Sequence, residues 1–217
     1  MLQSSHLQGF NAKRLQVTVV YKGATPAAIG SSSGTIDIGS TAGLPIVVAF
    51  HSRSAVINGQ ITPSTVLVDG SAVTVRAQNA AARKGAAIAS GSVLKSGSIA
   101  FSAECSDVSA SVVIHVFMAY ALASTTPVDT SVATGDNPTA ILDTNSGGLL
   151  VSGAINANSS GVTFTFTGLD TIDVNADNGS FSSVSAGHSN NTAAVSNHNV
   201  QATSASTEEY IVAVSYA

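Results

Sequence analysis

The chain has 217 residues, long enough for one large β-sandwich or two small domains to bury a core. Charged residues make up only 9% of it, against roughly 25% in typical soluble domains, while hydrophobic residues make up 44%. No apolar run approaches the ~20 residues needed to span a membrane, and a single cysteine, Cys105, excludes an internal disulfide and a cysteine-rich zinc site. We expect Cys105 to be a small buried hydrophobe.

The net charge of −4 hides an uneven distribution along the chain. Residues 1 to 100 carry all eight basic side chains and two acids, a balance of +6, whereas residues 101 to 217 carry ten acids and no Lys or Arg, a balance of −10. This split fits either compositional drift or a dipole that pairs unlike surfaces during self-assembly. The basic residues are too dispersed to predict a nucleic-acid site.

The first 14 residues show little apolar periodicity, so they cannot bury themselves on a domain. They also lack the charged start and apolar stretch of a secretory signal, and we expect synthesis and assembly in the cytoplasm. We interpret residues 1 to 14 as an N-terminal arm that binds a partner, ahead of a single β-sandwich domain over residues 15 to 217. The candidate partner-binding residues are Leu2, Leu7, Phe10, Lys13 and Arg14.

Alternating apolar and polar residues, in runs separated by Gly, Ser, Asn, Asp and Pro, predict an all-β fold without helices. Leu15 to Lys22 alternates in this way. Ile46 to His51 is apolar on both faces and should be a central strand. Thr65 to Val68 and Val73 to Gln78 flank Asp69-Gly70, where glycine accepts the positive φ of a tight turn, and we predict a hairpin there.

Two further runs, Gly85 to Leu94 and Ser98 to Glu104, predict a pair of strands around Lys95-Ser96-Gly97. Ala110 to Ala123 is the longest apolar run and should be the most deeply buried strand. Its VVIHVF segment is β-branched and aromatic, which favours a strand over a helix.

Residues 124 to 148 shift to Thr, Asp, Pro and Gly, which predicts a crossover loop or linker. Ile211 to Ala217 should be tied into a sheet. Ser185 to Ser206 is weakly patterned, and its strands should be short or exposed. No repeat of fixed period is evident.

Gly30-Ser31-Ser32-Ser33-Gly34 matches the letters of a nucleophile elbow, G-x-S-x-G, which places a serine on a strained turn between a strand and a helix. A strand, Thr35 to Ile38, follows instead of a helix, so the pattern favours a serine-glycine loop. We expect the protein not to be an enzyme, and a serine hydrolase using Ser32 is the weakest alternative.

Asp170 to Gly179 has oxygen-bearing side chains at alternate positions, as calcium loops do. Counted from Asp173, the turn glycine is displaced and Val184 stands where the bidentate acid belongs, so a polar turn that closes a hairpin is favoured. No histidine pair has metal-ligand spacing. Glu208 and Glu209 should point to opposite faces and blunt a sheet edge. We expect no cofactor or metal.

Five segments carry a resemblance to a known family: "IDIGSTAGLPIVVAFHSRSA", "ITPSTVLVDGSAVTVRAQ", "AAIASGSVLKSGSIAFSAECSDVSASVVIHVFMAYAL", "TTPVDTSVATG" and "YIVAVSYA". In order and texture they resemble the small jelly-roll-like virion proteins of tailed phages and prophages, especially those of alphaproteobacteria. The resemblance spans about Ile36 to Ala217. It implies an antiparallel β-sandwich of jelly-roll type and a role as head decoration protein, head fibre or tail component, and it carries no catalytic residues.

From this resemblance we expect a structural component of a tailed-phage virion, foremost a capsid decoration or cement protein on the outer head surface. It would be a homo-oligomer, with a trimer favoured because capsids offer local three-fold positions, and its partner would be the major capsid protein or another virion protein. Nucleic acid and membrane are not expected partners. The alternative is a tail-fibre or adhesin module that binds host surface glycan through the Asn, Ser and Thr side chains of residues 185 to 206.

Overall fold

The computed structural model describes residues 16–52, 63–81, 83–156, 161–177 and 182–217. In these ranges every regular element is a β-strand, and every strand pair is antiparallel. This confirms the prediction of an all-β, antiparallel, sandwich-like fold. The strands are β1 Thr18–Ala24, β2 Ala28–Ile29, β3 Ser31–Asp37, β4 Leu44–Ser52, β5 Pro63–Val68, β6 Ser71–Ala72, β7 Thr74–Ala80, β8 Lys84–Ser90, β9 Ser98–Cys105, β10 Ser111–Tyr120, β11 Asp129–Gly135, β12 Thr139–Thr144, β13 Leu149–Asn156, β14 Thr165–Thr167, β15 Thr171–Asp177, β16 Ser183–Asn190, β17 Val195–Thr203 and β18 Glu209–Tyr216.

The strands form four sheets, two from residues 16–120, which we call the first half, and two from residues 129–217, the second half. The inner sheet of the first half has the order β1-β10-β4-β8-β7, with β2 also beside β10, and its outer sheet is β3-β9-β5-β6. In the second half the inner sheet is β11-β18-β13-β16-β15 and the outer sheet is β12-β17-β14.

Three apolar cores separate these four layers. One lies between the outer and inner sheets of the first half and contains Phe101, Ile114 and Met118. A second lies between the two inner sheets and contains Phe50, Phe117 and side chains of β13 and β18. The third, between the sheets of the second half, is smaller and contains Phe164. Because both inner sheets are covered on both faces, β4, β8, β13 and β18 are buried at every residue.

The two halves repeat the same strand order. In the inner sheet of the first half, β1 pairs with β10, and β4, β8 and β7 follow in that order. In the inner sheet of the second half, β11 pairs with β18, and β13, β16 and β15 follow. The outer sheets match as β3-β9-β5 and β12-β17-β14. Gly43 precedes β4 and Gly148 precedes β13 at corresponding positions. A Cβ added at Gly43 would lie 2.8 Å from the carbonyl oxygen of Ala119, and one added at Gly148 would lie 2.2 Å from the carbonyl oxygen of Tyr216. The structure thus contains a repeat that the sequence alone does not reveal.

Two asparagine side chains tie the halves together beyond the apolar core. Asn79 on β7 donates to the carbonyl oxygen of Ala133 on β11 at 2.5 Å and exchanges hydrogen bonds with Thr134. Asn190 on β16 accepts from the backbone N–H of Val19 on β1 at 2.5 Å and donates to its carbonyl oxygen at 3.3 Å. Each amide therefore satisfies backbone groups on the first strand of the other half.

Several strand predictions are confirmed. Ile46 to His51 lies in β4, between β10 and β8, and β10 from the longest apolar run is buried along nearly its whole length. The tight turn at Asp69-Gly70 is present, with φ of 52° and 73°, and joins β5 to the short β6. The predicted hairpin between Thr65 to Val68 and Val73 to Gln78 is wrong, because the second run lies in β7 of the inner sheet. The terminal run forms β18, an interior strand between β11 and β13.

Other predictions are wrong in local detail. The pair around Lys95-Ser96-Gly97 is not a hairpin, because β8 and β9 lie in different sheets. The Gly30 to Gly34 stretch is mostly strand β3, and residues 124–148 contain β11 and β12 rather than a continuous crossover loop. Within 185–206, β16 is buried because its serine hydroxyls find backbone partners. The single domain over 15–217 stays a prediction.

Candidate functional site

The predicted partner-binding residues, Leu2, Leu7, Phe10, Lys13 and Arg14, lie outside the described residues. Their role as an attachment arm stays a prediction.

Ser32 lies inside β3 with no exposed surface, on the face that turns toward the core. Its hydroxyl donates to the Pro26 carbonyl oxygen at 2.8 Å and also contacts the Thr25 hydroxyl. A nucleophilic serine needs a base within hydrogen-bond reach and an exposed oxygen. The Ser32 hydroxyl instead fixes the segment that joins β1 to β3.

Most of the acidic stretch predicted as a hairpin turn forms strand β15, Thr171–Asp177, which pairs with β16. Residues 178 and 179 of that stretch lie outside the described residues, and the turn stays a prediction. Asp173 Oδ2 is 2.6 Å from His188 Nδ1. The Asn175 amide accepts from the Phe164 backbone N–H at 3.0 Å and donates to its carbonyl oxygen at 2.9 Å. The Asp173 and Asn175 side chains therefore contact other residues of the protein and do not converge on a common cation site.

Glu209 corrects the prediction that Glu208-Glu209 blunts a sheet edge. It begins β18, which lies between β11 and β13, and has no exposed surface. Only Glu208 is exposed, and its carboxylate accepts from the Tyr210 hydroxyl at 2.5 Å.

The basic side chains of the first half do not form an open positive face in the described ranges. Lys22 lies 5.7 Å from the centre of the Tyr120 ring, Arg76 donates to Ser90 Oγ at 3.0 Å, and Lys95 pairs with Asp69 at 3.5 Å. Lys84 is fully buried, and burial together with the charge of Arg83 lowers its pKa to about 8. By strand alternation its side chain faces the second half, beside Ala86 and Ile88.

A polar and aromatic cluster lies at the contact between the two inner sheets. The Tyr21 hydroxyl is 3.1 Å from His115 Nδ1, and the ring of His115 packs against Phe50 with centroids 5.8 Å apart. Phe117 contacts both Tyr21 and His188. Sequence patterns did not predict this cluster, and the one available signal was a histidine inside the longest apolar run.

Burial dominates the electrostatics of this cluster. It lowers the pKa of His115 to about 4, so the imidazole is neutral at pH 7. Burial, and then the charge of Asp173, raise the pKa of Tyr21. The cluster therefore holds a neutral histidine and a protonated tyrosine between the halves, which suits packing better than proton transfer at neutral pH.

Some of the exposed large apolar side chains lie at the two ends of the first half, and others are spread over the second half. At one end Ile29 is 66% exposed and Val108 is 81% exposed, and the backbone of Val108 lies against Gly30. At the other end Val93 and Leu94 project from the loop between β8 and β9. Leu94 borders a groove of about 430 Å³. Its other lining residues are Ala42, Gly43, Ala119, Ala121, Leu122, Ala123, Ser124 and Thr125.

In the described part of the chain, no group of three or more His, Cys, Asp or Glu side chains is arranged to hold a metal ion. Within the same ranges no helix is long and apolar enough to cross a membrane. Comparison with known proteins identified no matching family model, curated protein or solved structure.

Proposed function

We propose that the protein is a structural component of a tailed-phage virion that decorates the outer surface of the head. The observation that carries the proposal is the repeated strand order. In each half the first strand pairs with the last in the inner sheet. The intervening strands pass between the inner and outer sheets, except that β7 and β8, like β15 and β16, are neighbours in the inner sheet. This order fits an eight-stranded jelly roll, a fold of viral capsid and lectin domains. The chain would then be two jelly rolls in tandem.

The surface of the molecule supports a passive, adhesive role. The outer sheet of the first half presents Ser31, Ser33 and Thr35 to solvent, a face of small hydroxyl side chains. The apolar tips at Ile29 with Val108 and at Val93 with Leu94 are among the exposed groups that could bury area on a partner. A homo-oligomer on the major capsid protein would place one of these tips against the lattice, with a trimer favoured at local three-fold positions.

Mass spectrometry of purified particles tests the proposal. We expect this chain in virions at hundreds of copies per particle, because a decoration protein follows the capsid lattice. Absence from particles would exclude every virion role. A handful of copies per particle would indicate a tail component instead of a head decoration protein.

The N-terminal arm gives a second test of attachment. Deleting residues 1 to 14 should leave a folded protein that no longer binds particles, and Phe10→Ala should weaken binding more than Lys13→Ala. An exposed ion pair contributes about 0–1 kcal/mol, whereas truncating a buried aromatic anchor costs on the order of 2 kcal/mol. Retained binding by the truncated protein would show that the arm is not the anchor.

One observation favours the alternative of a tail-fibre or adhesin module that binds host surface glycan. Asn197 and Asn199 are exposed on β17 in the outer sheet of the second half, and the connection that precedes β17 is also largely exposed. Amide side chains on a sheet face can donate to and accept from sugar hydroxyls. Binding to host cell-wall glycan that is lost in Asn199→Ala would favour this alternative over decoration.

A further inference from the structure

Strand β3 is an edge strand of the outer sheet of the first half, and it pairs with β9 over all seven residues without a register shift. At one end of this ladder the Cys105 N–H donates to the Gly30 carbonyl oxygen at 3.1 Å. At the other end the Ile38 N–H donates to the Gly97 carbonyl oxygen at 2.9 Å. The even-numbered residues of β3 are therefore bonded to β9, and the odd-numbered residues turn their backbone groups outward. We call these outward N–H and C=O groups the β3 edge; they belong to Ser31, Ser33, Thr35 and Asp37.

The β3 edge is open in the part of the chain that the structure describes. All four of its residues are exposed, and no described side chain bonds to their backbone groups. A row of exposed, unpaired N–H and C=O groups is a template on which another strand can pair.

The corresponding edge strand of the second half, β12, is closed by side chains of β11. The Ile141 N–H donates to Ser131 Oγ at 3.0 Å, and the Asp143 N–H donates to Asp129 Oδ2 at 2.8 Å. In the first half β1 corresponds to β11, and among the described residues it makes no such bond to β3. The repeated strand order thus leaves one outer sheet with a closed edge and the other with an open edge.

The other edge strands in the described ranges carry features that prevent pairing. β1, β7 and β15 each contain one extra residue relative to the neighbouring strand, and in each case that residue is charged: Lys22, Arg76 and Asp173. β2, β6 and β14 have only two or three residues. On β11 the Ala133 carbonyl oxygen already accepts from Asn79. Charged bulges and short strands protect sheet edges, and β3 has neither a bulge nor Lys, Arg or Pro.

We propose that the β3 edge pairs with the β3 edge of a second copy of this chain, antiparallel and about a two-fold axis. A register with Gly34 opposite Gly34 of the second copy uses the whole edge. Ser33 then lies opposite Thr35 of the second copy, and Ser31 lies opposite Asp37. Each of the four facing pairs can exchange two backbone hydrogen bonds, as in an ordinary antiparallel ladder.

The side chains of β3 favour a second copy as the occupant. In this register no charge faces a like charge, because Asp37 lies opposite a serine. Ser33 and Thr35 meet as a hydroxyl pair, which stabilises neighbouring strands. Glycine occupies the axis, at a pair without hydrogen bonds, where facing side chains would be closest. The contact is two-fold, so it is separate from the three-fold association favoured on a capsid lattice and does not depend on the virion role.

Sedimentation equilibrium of the full chain tests the pairing. We expect the average mass to rise with concentration from that of one chain toward that of two chains. Ser33→Pro should weaken this association about tenfold or more, because proline removes an N–H of the β3 edge and leaves the bonds to β9 in place. Ser33→Ala keeps that N–H and should associate like the wild type. A wild type that stays monomeric up to about 1 mM, or unchanged association in Ser33→Pro, would overturn the proposal.

Disulfide formation tests the register and decides the matter if Ser33→Pro does not fold. Facing residues of a hydrogen-bonded pair have Cα atoms about 5.5 Å apart, within the range of a disulfide. A mixture of Ser33→Cys and Thr35→Cys should therefore form linked dimers under mild oxidation, and Ser33→Cys alone should form far fewer. The native Cys105 is buried and should not compete. No linked dimer in the mixture, or equal linking in Ser33→Cys alone, contradicts the proposed pairing.

Discussion

The two halves of the molecule share a strand order but bury different chemistry between their sheets. The first half packs branched aliphatic side chains around Phe101, whereas the smaller core of the second half relies on alanine and on buried serines. Ser152 donates to the Val212 carbonyl oxygen at 2.8 Å, Ser185 to that of Val174 at 2.6 Å, and Ser215 to that of Asp143 at 2.6 Å. Alternation and turn positions therefore specify the sheet order, while large apolar volume is not required at every buried site.

The largest expected effect is the loss of stability when Phe101 is removed from the apolar core of the first half. Phe101 is 1% exposed, so Phe101→Ala removes a ring from a packed site and should destabilise the protein by about 4 kcal/mol in urea unfolding. Ile29→Ala, at an exposed position, should stay within about 0.5 kcal/mol of the wild type. Similar losses for the two variants would contradict the described core.

Acid should weaken the contact between the halves by up to about 3 kcal/mol through His115. The pKa of His115 falls from about 6.5 in the unfolded chain to about 4 in the folded protein, so the folded state binds fewer protons between these values. The contribution of neutral His115 to the free energy of unfolding is fully present above pH 6.5 and is lost as the pH falls toward 4. The measurement is urea unfolding at several pH values from 8 to 4.

The control for this prediction is His115→Phe, because carboxylates titrate in the same range. The variant keeps a ring beside Phe50 and removes the titrating group. Stability should therefore fall less between pH 6.5 and 4 in the variant than in the wild type, whatever its absolute value at pH 8. Parallel pH profiles would show that His115 does not carry the effect.

Gly153 tests how closely the two inner sheets approach. A Cβ added at Gly153 would lie 2.6 Å from Cγ1 of Val48 and 2.9 Å from the ring of Phe50. Gly153→Ala should destabilise by about 2 kcal/mol, as overpacking does. Adding Val48→Ala should recover part of the loss, because it removes the atom that the new methyl group meets. Strict additivity of the two changes would mean that these sheets are farther apart.

The smallest expected effect belongs to the serines of the second half. Ser152→Ala removes a buried hydrogen bond to a strand carbonyl, and the loss should be about 1 kcal/mol. Ser33→Ala, on an exposed face, should be neutral within about 0.5 kcal/mol. A loss at Ser152 as large as that at Phe101 would mean that the two halves are not stabilised differently.

The sequence predicted the strands that carry unbroken apolar runs. β4 and β10 were recognised as buried because both of their faces are apolar, and the turn at Asp69-Gly70 because glycine accepts a positive φ. β16 was expected to be short or exposed because its buried serine, glycine and histidine look like surface residues until their partners are known. The repeat was not visible in the sequence because corresponding positions carry different residues. Gly153 in β13, for example, occupies the position that Val48 occupies in β4.

The contacts between the halves could not be predicted because they join residues far apart in sequence. Asn79 and Ala133 are 54 positions apart, and Asn190 and Val19 are 171 apart. Glu209 was assigned to an edge because a strand's neighbours do not show in its own sequence. The charge split was visible, but in the described ranges the structure shows Arg76, Lys84 and Lys95 engaged or buried rather than forming an open basic surface.

Because β10 and β18 are interior strands of their sheets and the last strands of their halves to be synthesised, they affect how the chain folds on the ribosome. Neither inner sheet can close until its last strand has been synthesised, and these strands end at Tyr120 and Tyr216. At about 5–20 residues per second, the interval between the two events is roughly 5 to 20 seconds, longer than the milliseconds to seconds in which β domains fold. The first half therefore has time to fold while its apolar inner face still lacks a cover. During that interval the nascent chain exposes the surface that later joins the halves, and a chaperone or a neighbouring nascent chain would find it there.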